Sequence, residues 1–241
     1  MRVVRVELEG LTTSFRYPFF VVGRQPTYDM PPPATIYGHI CSAAGELLDP
    51  RTLSFAYCFT HAGKASDLEH AHVVRSAGGR MVRPGTLESV PKVMEGAVNP
   101  LSRDFFFLPK LTLYVAPPEL EGHFRSPRYP VVLGRSQDLA SYVSVRLVEL
   151  ERASIAYYEH TLLPVTLGTA GRGVGITMPR FVDPGQGRTP TFAQYVMVPR
   201  RIRAEEAAAL AQDAGHWVDP DSPEVGGARR GLAFLTFADG A

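Results

Sequence analysis

Residues 10–46, GLTTSFRYPFFVVGRQPTYDMPPPATIYGHICSAAGE, lead from a strand through a long loop and three prolines into a helix. Ahead of them, Val4, Val6 and Leu8 alternate with Arg5, Glu7 and Glu9, the period of a half-buried strand. Pro31, Pro32 and Pro33 exclude helix before them and suit the first turn of one. Ile36, Ile40, Ala44 and Leu47 then recur at helical spacing while His39, Ser42 and Glu46 fall on another face, so a helix is predicted over 34–48. Gly38 and Gly45 cost helix propensity, as expected of a helix lying close against a sheet through small residues. Gly38→Val is then expected to overpack that contact.

The loop between strand and helix exceeds twenty residues and is neither low in complexity nor strongly polar. Phe15, Tyr17, Phe19, Phe20 and Tyr28 are interleaved with Arg16, Arg24 and Gln25. So many aromatics argue against disorder. Two readings remain at this point: a surface on which bases stack and phosphates are held, or a loop that merely covers the sheet.

Further along, Leu53, Phe55, Tyr57 and Phe59 alternate with small or polar residues as a second strand. Residues 61–103 read as a projecting excursion that carries Arg75, Arg80, Arg83 and Lys92, with its reversal at Gly78-Gly79 and poor periodicity over 80–99. Residues 103–115 return to strand, and Pro117-Pro118-Glu119 opens a short helix to about His123. A short apolar strand over 131–133, a polar turn over 134–138 and a strand through Val143, Val145 and Leu147 follow. Strand, helix, strand, long hairpin, strand, short helix, strand predicts an α+β domain over 1–153 of ferredoxin-like (RRM-like) layout. Helices cover one face of its sheet, and the open face is where such folds often hold single-stranded RNA. Residues 154–241 read as a small, mostly-β C-terminal extension. It contains an extended stretch over 155–167, a glycine-rich loop GTAGRGVG around Arg172, a strand over 191–198, an alanine-rich helix over 204–213 and a closing strand over 232–237.

Two blocks carry a resemblance. TTSFRYPFF followed by PTYDMPPPATIYGHICSAAG resembles the opening of the Cas-five family, the CRISPR-associated RAMP proteins that cap the 5′ handle of the guide RNA in type I Cascade. FRSPRYPVVLGRSQDLA, residues 124–140, is similar to that family's middle signature in subtype I-B-like members. Between them RDFFFLPKLTLYV stands where the strand returning from the family's thumb hairpin is expected, and the resemblance runs in order over about residues 1–165. It implies that the excursion over 61–103 is a thumb wedged between handle nucleotides. Implied too are a role in antiviral defence, crRNA as ligand, the large and backbone Cascade subunits as partners, and contact with target DNA through the complex. The RNA surface expected from it comprises Arg16, Arg24, Tyr28, Tyr37, Arg75, Arg80, Arg83, Arg103, Lys110, Arg125, Arg135 and Arg172. Arginine outnumbers lysine there, in keeping with forked phosphate contacts and base stacking.

Composition sets outer bounds. The chain has 241 residues, 45% of them hydrophobic, with a net charge of only +1, so composition alone does not announce a nucleic-acid binder. Its distribution says more: residues 70–146 hold ten Lys or Arg against six Asp or Glu, leaving the remainder with more acids than bases. Cys41 and Cys58 read as buried thiols, not metal ligands. No leader or apolar run of membrane length is found, so a cytoplasmic location without membrane contact is expected. The glycine-rich loop lacks Gly-Lys-Ser/Thr, no metal-ligand clustering is evident, and no cofactor is expected.

Catalytic frames are equally absent, and the chain is expected not to be an enzyme. The alternative is a metal-independent crRNA-processing endoribonuclease like subtype I-C relatives, with Tyr37 as the tyrosine, although no adjacent Lys-His pair occurs anywhere. A third possibility, a pure protein-interaction subunit, is opposed by the arginine-aromatic loop beside a basic excursion.

Overall fold

The computed structural model describes residues 1–20, 23–167, 173–203 and 215–238, with backbone alone at 74–77, 93–95 and 97. The predicted helix over 204–213, Arg172 and most of the glycine-rich loop lie outside the described residues.

In chain order, β1 (Arg2–Gly10) is followed by the short strands β2 (Thr12–Thr13) and β3 (Arg24–Gln25), then α1 (Pro33–Ala44) and β4 (Ser54–Thr60). The long strands β5 (Gly63–Val82) and β6 (Ser89–Phe107) precede β7 (Lys110–Ala116), α2 (Glu121–Arg125) and β8 (Ala140–Glu149). The rest is strand: β9 (Glu151–Ala153), β10 (Ala156–Tyr158), β11 (Thr161–Pro164), β12 (Val174–Asp183), β13 (Thr189–Val198), β14 (Ile202–Arg203), β15 (His216–Val218), β16 (Arg229–Leu232) and β17 (Leu235–Thr236). The protein is thus α+β and dominated by strand.

A five-stranded antiparallel sheet, ordered β17-β4-β7-β1-β8, forms the centre. Its strands alternate as their sequences do. Val4, Val6 and Leu8 of β1, Phe55, Tyr57 and Phe59 of β4, and Leu111, Leu113 and Val115 of β7 share one buried face under Ile36 and Ile40 of α1 and Phe124 of α2. Residues 131–133, expected as a strand, make only a single bridge from Val132 to Leu139, because Leu133 and its neighbours turn back within eight residues.

The helix differs from its prediction in length and phase. Gly45 adopts φ 84° and its N–H bonds the Cys41 carbonyl at 2.8 Å, so α1 stops at Ala44. A Cβ on Gly45 would lie 2.4 Å from Cγ of Arg128, a second reason for glycine there. Leu47 falls beyond the helix and is 65% exposed, whereas Tyr37 and His39 point inward. Gly38 has no neighbour within 4 Å of where a Cβ would stand, so the expected overpacking by Gly38→Val has no partner. The second layer over α1 is the β11-β13-β12 sheet, whose Met178, Tyr195 and Met197 join the same core as the central sheet.

The other face of the central sheet is not open to RNA, contrary to expectation. Val3, Ala56, Tyr114 and Val148 lie beneath Leu232 with Trp217 and Phe234 packed alongside. The cover is pinned by Asp219, which accepts from Arg5 Nη1 at 2.8 Å and from the Tyr114 hydroxyl at 2.9 Å. Asp219 is 1% exposed. That the C-terminal residues fold back over this face was not legible in their own short, irregular strands.

Candidate nucleic-acid interface

Strands β5 and β6 form one antiparallel hairpin. Arms of 20 and 19 residues would reach on the order of 60 Å if straight, at ~3.3 Å per residue. Outside a turn at 83–88, the irregular stretch expected over 80–99 is ladder. The reversal is not at Gly78-Gly79, which form a bulge between Ser76 and Arg80 at φ 60° and 83°. It lies at residues 83–88, where Pro84 and Gly85 take the centre of a turn, Gly85 has φ 80° and Thr86 N–H donates to the Arg83 carbonyl. Proline followed by a left-handed glycine is the type II pattern.

The hairpin's root is buried through Leu101 and Phe106, 5% and 1% exposed. The arginine-aromatic loop is stitched to this root. β2 pairs antiparallel with Phe106 and Phe107, and β3 pairs parallel with Ser102 and Arg103. Ser14 Oγ donates to the Asp104 carbonyl at 2.7 Å, and Phe15 N–H to Thr27 Oγ1 at 2.8 Å. Lys64 Nζ lies 2.9 Å from Asp29. Residues 133–138 clamp the same root: Thr12 donates to Asp138, and Gly134 at φ 93° sits so near Ser14 that a Cβ would stand 2.5 Å from its carbonyl oxygen.

The twelve expected RNA residues separate into groups. Arg16 is exposed, bridges Thr27 through its backbone and has no ion pair among the described residues. Arg24 is 71% exposed and faces Asp104 at 3.2 Å. Arg80 donates to Ser89, and Arg83 faces Glu88 at 3.1 Å with both side chains well exposed, so the tip presents cations that water already reaches. Arg103 and Arg135 converge instead on Glu69, with Arg135 also bonded to Asp138; their side chains are 11% and 16% exposed. These two brace the root. Lys110 pairs with Glu9 at the start of β7 and Arg125 with Glu121 on α2, both off the hairpin sheet. The Arg75 side chain and all of Arg172 lie outside the described residues.

The two tyrosines are core residues, not stacking surfaces. Tyr28 is 1% exposed, stacked on Tyr17 at 3.6 Å, and burial pushes its hydroxyl up to about 12. Tyr37 is 6% exposed between Phe181 and Phe237, its hydroxyl donates to the Leu48 carbonyl at 2.6 Å, and burial raises its pKa. Exposed rings come from Phe19 and Phe20, 73% and 49% exposed, with Phe19 stacked on Phe192 at 5.4 Å. Sequence reasoning placed these phenylalanines in the loop but could not tell them from Phe15, which is buried. Lys92, named with the excursion's cations, is exposed on β6, and Lys64 at the root was not singled out. Among the described residues, no three His, Cys, Asp or Glu are grouped to hold a metal ion, and no helix is long and apolar enough to cross a membrane.

No family model and no curated protein matches the chain. A chain of a CRISPR RNA-guided surveillance complex superposes with a TM-score of 0.53 at 16% identity, over 84% of this chain and 92% of that one. The two chains share a fold. A CRISPR protein from Archaeoglobus fulgidus aligns over 98% of this chain and 100% of its own with a TM-score of 0.45 and 10% identity. A further Cas protein aligns over 83% and 98% with a TM-score of 0.37 and 17% identity.

Proposed function

We propose that this chain is a non-catalytic, crRNA-binding subunit of a type I Cascade surveillance complex. It grips the 5′ handle of the guide RNA, docks the large subunit and the first backbone subunit, and meets target DNA through the assembled complex in the cytoplasm as part of antiviral defence. The order β8-β1-β7-β4, with α1 and α2 as crossovers, is read as the ferredoxin-like layout of a RAMP domain. The hairpin is read as its thumb.

One observation carries the reading. A hairpin too long to be a core element stands on a root braced by Glu69 and laced to the loop of residues 12–29, with Arg16 and Arg24 at its base and Arg80, Arg83 and Lys92 toward its tip. Such an arm offers phosphate donors to a single strand while the sheet face is closed. The absence of an enzymatic role is part of the proposal. In its support, Tyr37 is buried with its hydroxyl donated to a carbonyl and its pKa raised, the wrong state for a general base.

The test is handle-RNA binding as a function of salt, with a log–log slope near −0.7 per neutralised phosphate. Arg80→Ala, Arg83→Ala and Lys92→Ala should each reduce the slope and weaken binding by about 1–2 kcal/mol. Unchanged binding in the triple variant removes the hairpin from the reading. In parallel, excess protein should leave a repeat-containing precursor intact; site-specific cutting that vanishes in Tyr37→Phe would favour the endoribonuclease alternative.

A further inference from the structure

A cavity of about 580 Å³ opens at the hairpin root, where the end of β4, the β10–β11 turn and the edge of the β12–β13 pair meet. Its walls are of two kinds. Met30, Phe59, Met197 and Pro199 supply apolar surface. Asp29, Thr60, His61 and His160 supply polar groups. A volume of a few hundred Å³ with a flat apolar wall and a few converging polar groups is what encloses a small planar ligand.

The two imidazoles are set in place by the fold. His61 stacks on Phe106 at 4.2 Å between ring centroids. His160 takes the left-handed conformation, φ 52°, and its carbonyl accepts from Phe59 N–H at 2.8 Å. A histidine held there, at a cost that glycine would avoid, is a backbone outlier beside a cavity. Burial lowers both imidazole pKa values, despite Asp29 beside His61 and Glu159 beside His160; Lys64, Arg201 and Arg230 lower them further. A neutral imidazole carries one donor and one acceptor nitrogen; His61 spends its donor on the Gly63 backbone, which leaves its acceptor beside the donor and acceptor of His160. That edge suits the mixed donor and acceptor edge of a base better than it suits a phosphate.

The cavity is also placed to receive a strand. Lys64, Ser66, His70 and His72 alternate onto the face of β5 that includes Phe106 and Asp104 across the ladder, whereas Glu69 and Arg103 occupy the opposite face. A single strand lying on the first face runs toward His61 and the cavity mouth, past Lys64, whose ammonium is paired with Asp29 at 2.9 Å.

We propose that this cavity takes one unstacked nucleobase, held edge-on by His61 and His160 against Phe59 and Met197. The inference rests on the RNA-binding reading above for the source of that base, and on the cavity alone for its chemistry.

The probe is Val174→Trp. Val174 is 51% exposed on the cavity rim, so the indole fills the mouth without entering the core. Binding of single-stranded RNA octamers is measured with intact RNA and with one abasic ribose at each successive position. Val174→Trp should weaken intact RNA about tenfold while leaving the salt slope unchanged, since no phosphate donor is lost. One abasic position should weaken the wild type equally and cost the variant nothing further. Wild-type affinity in Val174→Trp, with RNA still bound, overturns the inference and leaves the RNA reading intact. Failure of the wild type to bind any octamer overturns the RNA reading instead. The cavity is then judged by nucleoside monophosphates alone: shifts of the His61 and His160 ring protons that Val174→Trp abolishes support it, and no shift overturns it.

Discussion

His39 is held from both ring nitrogens, Nδ1 at 3.0 Å from the Val132 carbonyl and Nε2 at 2.9 Å from the Tyr142 hydroxyl. A carbonyl only accepts, so Nδ1 carries the proton and Nε2 accepts from Tyr142. Burial lowers the pKa of this imidazole below its ordinary value. The unfolded chain therefore binds the proton first as pH falls, and stability present above about 6.5 is lost on acidification toward the lower folded pKa. Urea midpoints taken at neutral pH and at about pH 5 should fall in the wild type and fall less in His39→Gln, which starts from lower stability. An identical pH dependence in the two would acquit His39. The glycines give the complementary test. Gly38 faces open space within α1, so Gly38→Ala should stabilise by about 0.5–1 kcal/mol, while Gly134→Ala, left-handed and pressed on Ser14, should destabilise by about 1–3 kcal/mol. Thermal unfolding of the pair reads both signs.

At the scale of elements, Glu69 fixes the hairpin to the body. It receives Arg103 and Arg135, and Arg135 also grips Asp138 of the turn that clamps β2. Glu69→Gln should cost about 2 kcal/mol, felt at the root rather than throughout. Amide exchange in residues 64–72 and 99–106 is expected to accelerate while β1 and β7 keep their protection. Equal protection in both proteins would assign the bracing to the β2 and β3 pairings alone. At the tip, Gly85→Val should destabilise the reversal, since a β-branched residue is disfavoured at φ 80°, whereas Gly78 and Gly79 sit in a bulge that does not close the hairpin.

Over the whole molecule, one buried carboxylate holds the C-terminal cover to the central sheet. Asp219 joins Arg5 and Tyr114 across more than a hundred residues of chain, and removing it leaves Arg5, whose side chain is 13% exposed, with Glu7 alone as its carboxylate partner and the buried Tyr114 hydroxyl without its acceptor. Asp219→Ala should cost about 1–3 kcal/mol and speed amide exchange in β15 and β16 before β1. If the cover stays protected, its hold is the apolar contact of Leu232, Trp217 and Phe234 with Val3 and Val148. Handle-RNA affinity should not rise when the cover loosens, because the interface proposed here lies on the hairpin and not on the sheet.

The sequence by itself determined the central strands and the helix start, because alternation in Val4-Val6-Leu8 and Phe55-Tyr57-Phe59 and the run of Pro31 to Pro33 are local signals. It also determined that a basic excursion separates two core strands. What it left open depended on contacts between distant segments. That Tyr28 and Tyr37 lie in the core was decided by Tyr17, Phe181 and Phe237, and the pairing of Arg103 and Arg135 by Glu69. The closing of the sheet's second face was settled by Asp219, and the gathering of His61 with His160 by a turn a hundred residues away. A side chain's period reports which way it points from its own strand; what meets it there is decided only when the chain folds back on itself.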